Sequence, residues 1–569
     1  MMNDMVILNY KKLAVGVITF LFPLSSFLFS SCSEQMDYKE YSIYDDAYIQ
    51  KKFERTGGLL STIYADLDSD FGNYDGATLA SATDEAVYSH DGASIESFYN
   101  GAWSPTNANS SIWTTCYHGI AYCNLFLDEF TGLTFDDYVL DKNYMAEMYQ
   151  YNNYQWEARF LRAYYYFLLV RQYGGVPLIT KNLSAEEASV QPRATADEVF
   201  KFIDDECVAI KDSITEDYGD LGNLAMSPAN NGRANNLAVL ALRARAALYH
   251  ASPLFNPNND KSLWEKAAQA NKAVLDACSG RGMKLSNDYK GLFIGNTNWS
   301  DAGATGEIIF GRRMPTENRT FETNNFPVGI SGAGAGGGGG NCPSQNLVEA
   351  YEDGDKRFEQ TVARNGDSWP NANTIPLETY IGGVNGMPAA YATPTSYYLK
   401  KYVTESVQIA GNGANTCKHV WVTFRLGEFY LNYAEALMNL AGDGYTAPSG
   451  NGASATAAYY INQIRKRAGL ANLEEGLSAA DFKACYEKER FVELAFEGHR
   501  FFDVRRWKEA DKYFKTIYGL EITKNADGTF TETKKVVQNR LWDDKMYLFP
   551  IPQSEILKSG GALSQNPGW

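Results

Sequence analysis

Histidine is scarce in this sequence. His90, His118, His250, His419 and His499 are the whole supply, and no two stand close enough along the chain to suggest a shared metal. Positive charge is short as well: 51 Lys and Arg face 68 Asp and Glu, a formal net charge of −17. That balance disfavours a nucleic-acid partner, which needs a basic face for phosphates. No G-x-x-x-x-G-K-[ST] loop, H-E-x-x-H helix or G-x-S-x-G elbow is present. Cysteine gives no framework either. Beyond Cys32 the thiols are Cys116, Cys123, Cys207, Cys278, Cys342, Cys417 and Cys485, an odd number without C-x2-C spacing. Cys116 and Cys123 share a helix face but lie ~10 Å apart along its axis, too far for a bridge. They read as buried free thiols. Past the N-terminus no apolar run approaches the ~18 residues of a membrane span.

Aromatic residues are abundant. The 10 Trp, 38 Tyr and 30 Phe make up 14% of 569 residues. A tyrosine ring is apolar with a polar tip, suited to half-buried helix contacts and to open binding surfaces, and packing accounts for most of these rings. At the N-terminus, Lys11 and Lys12 precede an apolar stretch of about twelve residues from Leu13 to Leu24, then Ser30-Ser31-Cys32. This is the pattern of a secretory leader, residues 1–31, too short to span a bilayer. Small residues ending on cysteine resemble a bacterial lipobox, with Cys32 the lipidated residue and Phe29 standing where leucine is usual.

The remaining pattern is mainly α. Gln155 to Tyr173 is apolar almost all round, as in a helix at the centre of a bundle, and Gly174-Gly175-Val176-Pro177 stops it. Thr195-Ala196-Asp197-Glu198 is a capping box opening the next helix. Helices follow over Leu237–His250, Leu263–Cys278, Phe424–Leu440 and Ala457–Ala468, in antiparallel pairs that resemble tetratricopeptide units with long irregular insertions. Two regions break the pattern. Residues 291–340 end in a run of five glycines, which predicts a mobile or tightly turning loop. Residues 368–403 are rich in Pro, Gly, Asn, Tyr and Thr. Long irregular loops are often functional, so these two lead as the binding surface.

The C-terminal third carries a specific pattern. Tyr486 to Trp507 reads YEKERFVELAFEGHRFFDVRRW, Met546 to Pro552 reads MYLFPIP, and Gln565-Asn566-Pro567-Gly568-Trp569 follows. These segments resemble the SusD/RagB family of Bacteroidetes outer-membrane lipoproteins, with Phe549 and Trp569 as aromatic replacements for tyrosine. Phe160-Leu161-Arg162-Ala163, Tyr173 to Pro177, Arg425 to Glu428 and Tyr433 to Leu437 extend the resemblance upstream. Physically, the Glu489–Arg506 segment reads as scaffold: opposite charges among Phe491, Leu494, Phe496 and Phe501 must pair if they are buried.

The resemblance implies an α-rich SusD-like fold, with residues 32–228 and 229–569 forming one body. It implies a non-enzymatic, surface-exposed lipoprotein of the outer membrane. Such a protein captures an oligosaccharide and passes it to a SusC-like TonB-dependent transporter. A RagB-like peptide-capture role is the alternative. The 68 acidic residues also leave an anchored glycosidase open.

A sugar is held by stacking on an aromatic face with polar groups at its rim. The loops offer Tyr74, Tyr99, Trp103, Trp299, Trp369, Tyr397 and Tyr398, with Arg312 as a hydroxyl or acidic-sugar donor. Asp66, Asp68 and Asp70 precede Gly72 like the start of a calcium loop. The glycine comes one place late, however, and Ala77 stands where a glutamate is needed. The stretch therefore reads as an acidic loop, with calcium the weaker alternative and no other cofactor expected.

Overall fold

A computed structural model describes residues 45–109, 112–216, 218, 232–294, 306–330, 336–370, 376–448 and 455–569. The leader, Cys32 and Trp299 lie outside the described residues. The fold is mainly helical, as the sequence pattern predicts. Its first principal helices are α1 (Phe53–Ala65), α2 (Ile112–Glu129), α3 (Tyr144–Tyr173), α4 (Ala196–Ile210), α5 (Asn236–Ala251) and α6 (Lys261–Gly280). Then come α7 (Leu426–Ala441), α8 (Ala457–Ala468), α9 (Ala479–Glu493) and α10 (Arg500–Arg506). From α2 to α8 each helix packs on the next, giving a serial array.

Helix α3 begins 11 residues before the predicted start at Gln155 and runs for 30 residues. Its first turns carry a stripe at helical spacing, Tyr144, Met148 and Tyr151, which packs on Phe53 and the core; from Phe160 onward the helix is buried on nearly every side, between α2 and α4. The capping box at Thr195 forms as read: Thr195 accepts from Glu198 N–H, and Glu198 reaches back to Thr195 N–H.

The strands form two-stranded antiparallel ladders. They are β1 (Ala86–Tyr88) with β3 (Asn341–Pro343), β2 (Ile308–Arg313) with β6 (Val420–Arg425), β4 (Val362–Ala363) with β5 (Tyr398–Leu399), and β7 (Thr516–Lys524) with β8 (Phe530–Asn539). The β2–β6 ladder stands between α6 and α7 in the chain. Its last strand takes Phe424, which the sequence pattern places in the helix that follows.

The motif residues form a buried ion-pair network. Arg425 bonds Glu307 at 2.8 Å and Glu493 and Glu497 at 2.7 Å. Arg357 bonds Asp355, Glu489 and Glu493, and Arg467 bonds Glu493 at 2.5 Å. Burial pushes the Glu493 carboxyl up, but Arg467, Arg425 and Arg357 outweigh it and hold the group well below the usual carboxylate range. Arg500 pairs with Asp84, 416 residues away. Most motif charges are thus paired, many with partners outside the motif, while buried Arg505 departs from the expectation and donates to the Met546 and Phe501 carbonyls.

The segment around Asn566 closes over the first half. Asn566 Nδ2–H donates to the Tyr173 and Phe549 carbonyls at 3.0 and 2.8 Å, and Arg193 donates to the Ser564 carbonyl and Asn566 Oδ1. The Trp569 ring lies 5.1 Å from that of Trp103. Among the described residues all seven cysteines are free, and all but Cys485 are buried. No described helix is long and apolar enough to cross a membrane.

Candidate functional site

Near the predicted site residues, two features could hold a ligand, and one turn joins them. The first is a polar cavity of about 570 Å³. The acidic stretch leaving α1 forms one wall, α3 supplies Tyr164, Leu168 and Arg171, and Trp421, Val422 and Thr423 of β6 form another. Its volume lies in the range of small-molecule sites. From the predicted set it brings together Tyr74, Arg312 and the aspartates 66, 68 and 70.

The three carboxylates do not converge on one point. Asp66 bonds His118 at 2.6 Å, Asp68 accepts from Tyr164 O–H at 2.5 Å, and Asp70 Oδ2 accepts from Leu79 N–H at 2.6 Å. Each has its own donor, as in a hydrogen-bonded acidic loop, and among the described residues the three do not form a converging donor group. Asp70 is the unusual member. Its Oδ1 is buried without a hydrogen-bond partner, and burial raises its carboxyl from 3.8 to about 7, against the pull of the Leu79 and Asn73 bonds.

Arg312 is committed to this loop. Its guanidinium donates to the Ala65 carbonyl at 2.7 Å, to the Leu67 carbonyl and to Ser69 Oγ, so β2 clamps the acidic stretch in place. Arg171 lies 3.6 Å from Asp68, with its guanidinium 3.9 Å above the Phe502 ring. His499 is held neutral: burial lowers it well below the usual range, and Arg245, Arg490 and Arg425 add to the effect.

The second feature is an exposed ring stack. Tyr391 lies parallel to His90 at 4.0 Å and 10°, and Tyr88 lies beyond His90 at 5.0 Å and 19°. Tyr391 remains 55% exposed. Its φ of +61° is uncommon for an aromatic residue, and held strain of this kind clusters at binding sites. His90 Nε2–H donates to the Gly338 carbonyl at 2.7 Å, which fixes the ring's orientation. Ile381, Val384 and Met387 on the same loop are also exposed. The turn at residues 72–76 links the two features. Tyr74 lines the cavity, while the Asp75 carbonyl accepts from Tyr88 O–H at 2.9 Å.

The glycine run is packed tightly beside this stack. A Cβ on Gly337 would stand 2.1 Å from the Phe326 carbonyl oxygen, and one on Gly339 would stand 2.0 Å from that of Tyr391. Of the two predicted alternatives, a tightly turning segment describes residues 336–340. The glycines are there because other backbone approaches too closely for any side chain.

Several predicted aromatics are corrected by burial, because a covered ring offers no face to a sugar. Trp103 and Trp369 are each 2% exposed. Trp103 packs among Phe98, Phe549 and Trp569 and donates to the Ala108 carbonyl; Trp369 packs on Phe326. Tyr397 and Tyr398 are buried, with hydroxyls spent on Gln345 and the Asn385 carbonyl. Tyr99 is half-buried beneath the Arg540 guanidinium, 4.4 Å above its ring. Tyr391 falls inside the 368–403 stretch expected to bind but was not singled out there, because its immediate neighbours are Ala389, Ala390 and Ala392. Only the fold brings residue 90 to residue 391.

Comparison with known proteins places the chain. The profile described as "SusD family" matches residues 306–569, and one described as "Starch-binding associating with outer membrane" matches residues 40–248. The chain belongs to the SusD family. The SusD-like protein P2 of Formosa agariphila is 23% identical over 426 residues, 73% of each chain. A SusD-like protein of Bacteroides fragilis has a solved structure that superposes with a TM-score of 0.74 at 23% identity, covering 92% of this chain and 98% of that one. The surface glycan-binding protein A of Bacteroides fluxus superposes with a TM-score of 0.60 at 21% identity, covering 91% and 99%. These similarities establish the fold; one such SusD-like structure, from B. fragilis, is described as carbohydrate-binding.

Proposed function

We propose that this SusD-family protein is a non-enzymatic, lipid-anchored glycan-binding protein of the outer membrane surface. It captures an oligosaccharide and passes it to a SusC-like TonB-dependent transporter. The observation that carries the binding reading is the Tyr391–His90 stack: an exposed ring on a left-handed backbone, backed by a second ring that is itself fixed by a hydrogen bond. Such a platform suits the apolar C–H face of a sugar. The neighbouring cavity adds Asp68, Asp70, Tyr74 and Arg171 for hydroxyl groups, with Arg312 positioning the loop. The anchor rests on Cys32 and the leader before it.

Calorimetry against a panel of oligosaccharides and peptides tests the binding reading. Tyr391→Ala is expected to weaken the best glycan about tenfold, roughly 1.4 kcal/mol, with an unchanged far-UV spectrum. Unchanged affinity for every glycan, or binding of peptides alone, would overturn it. Cys32→Ser is expected to move the protein from the membrane fraction to the soluble one; retention would refute the anchor.

A further inference from the structure

Among the described residues, one group of metal-compatible donors converges: Glu322, Cys417 and His419. Glu322 lies on the short helix Thr320–Asn325, and Cys417 and His419 lead into β6. All three are buried, with exposures of 0%, 1% and 4%. His419 Nε2 faces both Glu322 oxygens, at 3.0 and 3.2 Å, and Cys417 Sγ at 3.5 Å. The donor atoms lie within 4.8 Å of one another.

The spacing is that of ligands around a small tetrahedral ion. With Zn–S of ~2.3 Å, Zn–N of ~2.0 Å and Zn–O of ~2.0–2.2 Å, tetrahedral angles put S and N about 3.5 Å apart and N and O about 3.3 Å apart. The two separations from His419 Nε2, to Cys417 Sγ and to the Glu322 oxygens, agree within a few tenths of an ångström. The charges fit as well. A thiolate, a carboxylate and a neutral imidazole cancel a divalent cation, so the buried site would carry no net charge. Thr404 N–H donates to Glu322 Oε1 and so holds one carboxylate oxygen in place. The ligand chemistry, one soft sulfur with nitrogen and oxygen, selects zinc over calcium or magnesium.

We infer that Glu322, Cys417 and His419 form a structural zinc-class site that ties the Thr320–Asn325 helix to β6. Binding replaces the thiol proton by the metal and releases it to solvent, and the imidazole carries its remaining proton on Nδ1 when Nε2 ligates. None of the three donors lines the polar cavity or belongs to the ring stack, so occupancy of the site is read separately from sugar binding.

The test uses the purified full-length protein, stripped with chelator and titrated with Zn2+ alone and with Co2+ alone. One equivalent of Zn2+ is expected to bind and to raise Tm. Co2+ should give a thiolate charge-transfer band together with tetrahedral d–d absorption. Cys417→Ser and His419→Gln should each weaken Zn2+ binding by more than ~100-fold, beyond the effect of outer-shell changes. Cys485→Ser, which removes the half-exposed thiol, should change nothing. Failure to bind one equivalent would overturn the site, as would a cobalt spectrum without a thiolate band, or binding retained in both ligand variants. If a ligand variant does not fold, the cobalt spectrum of the Cys485→Ser protein decides the matter.

Discussion

Asp70 shows how a single buried carboxyl reshapes pH behaviour. Its folded value of about 7 stands above the ordinary 3.8, chiefly through burial. The folded state therefore holds this proton more tightly than the unfolded chain does. Its contribution to stability is full below about pH 4 and is lost as pH rises towards 7, by up to roughly 4 kcal/mol. Asp70→Asn keeps the shape and removes the titration. Denaturant unfolding of the two proteins at pH 4 and at pH 7 to 8 should show the variant gaining on the parent as pH rises. A difference that does not change with pH would sink the idea. Trp103 makes a complementary point. Its neighbours in sequence are Ser104, Pro105, Thr106 and Asn107, which read as an open loop. Its neighbours in space are Phe549 and Trp569, more than 400 residues away, and they bury it. Trp103→Ala is expected to lose about 3–5 kcal/mol of stability, measured by denaturant unfolding. A loss of glycan affinity with no loss of stability would restore it to the binding set.

At the scale of elements, much was legible locally and the remainder was not. The capping box at Thr195 and the stop at Gly174 are decided by a few adjacent residues, and both stand as read. The first turns of α3 were missed although Tyr144, Met148 and Tyr151 mark one face, because the polar residues between them stand out less clearly as a helix than the nearly all-apolar stretch that follows. The site was less legible still. Composition marks loops, but whether an aromatic in a loop faces water depends on segments far along the chain. Cys417-x-His419 carried a faint signal of its own, since alternate residues in an extended segment share a face. Its partner Glu322 stands far back along the chain and is indistinguishable in sequence among the other carboxylates. The glycine run offers a clean test. Gly339→Ala meets the Tyr391 carbonyl and should destabilise by about 1–3 kcal/mol while weakening glycan binding. Gly354→Ala has a similar positive φ but open space around it, so it should show only a backbone effect of about 1 kcal/mol and unchanged binding. Equal effects at the two glycines would refute the packing argument.

Across the whole molecule, charge is the joinery. Arg425 ties strand β6 to Glu307 before β2 and to Glu493 and Glu497 at and beyond the end of α9. Arg425→Met strands carboxylates in the interior, and a loss of at least about 3–5 kcal/mol is expected in denaturant unfolding. A near-neutral result would mean that water reaches the network. Glu435 adds an acid limb. Burial alone would raise its carboxyl, but Arg506 dominates and holds it at about 2. Its stabilisation is complete above about pH 4.5 and disappears as pH falls towards 2, so Glu435→Gln should flatten stability over that window.

The clasp made by Asn566 and Trp569 on Tyr173 and Trp103 also has a consequence in time. A ribosome delivers residues in order, and the pairs 84 with 500 and 173 with 566 lie hundreds of residues apart. Until residues 563–569 emerge, the end of α3 lacks its last hydrogen-bond donor and the Trp103 ring lacks its cover. Contacts this distant close slowly, because a long loop must be ordered before any of them forms. The nascent first half therefore waits with apolar surface open. That interval, before the clasp shuts, is when a protease or a chaperone has its opportunity.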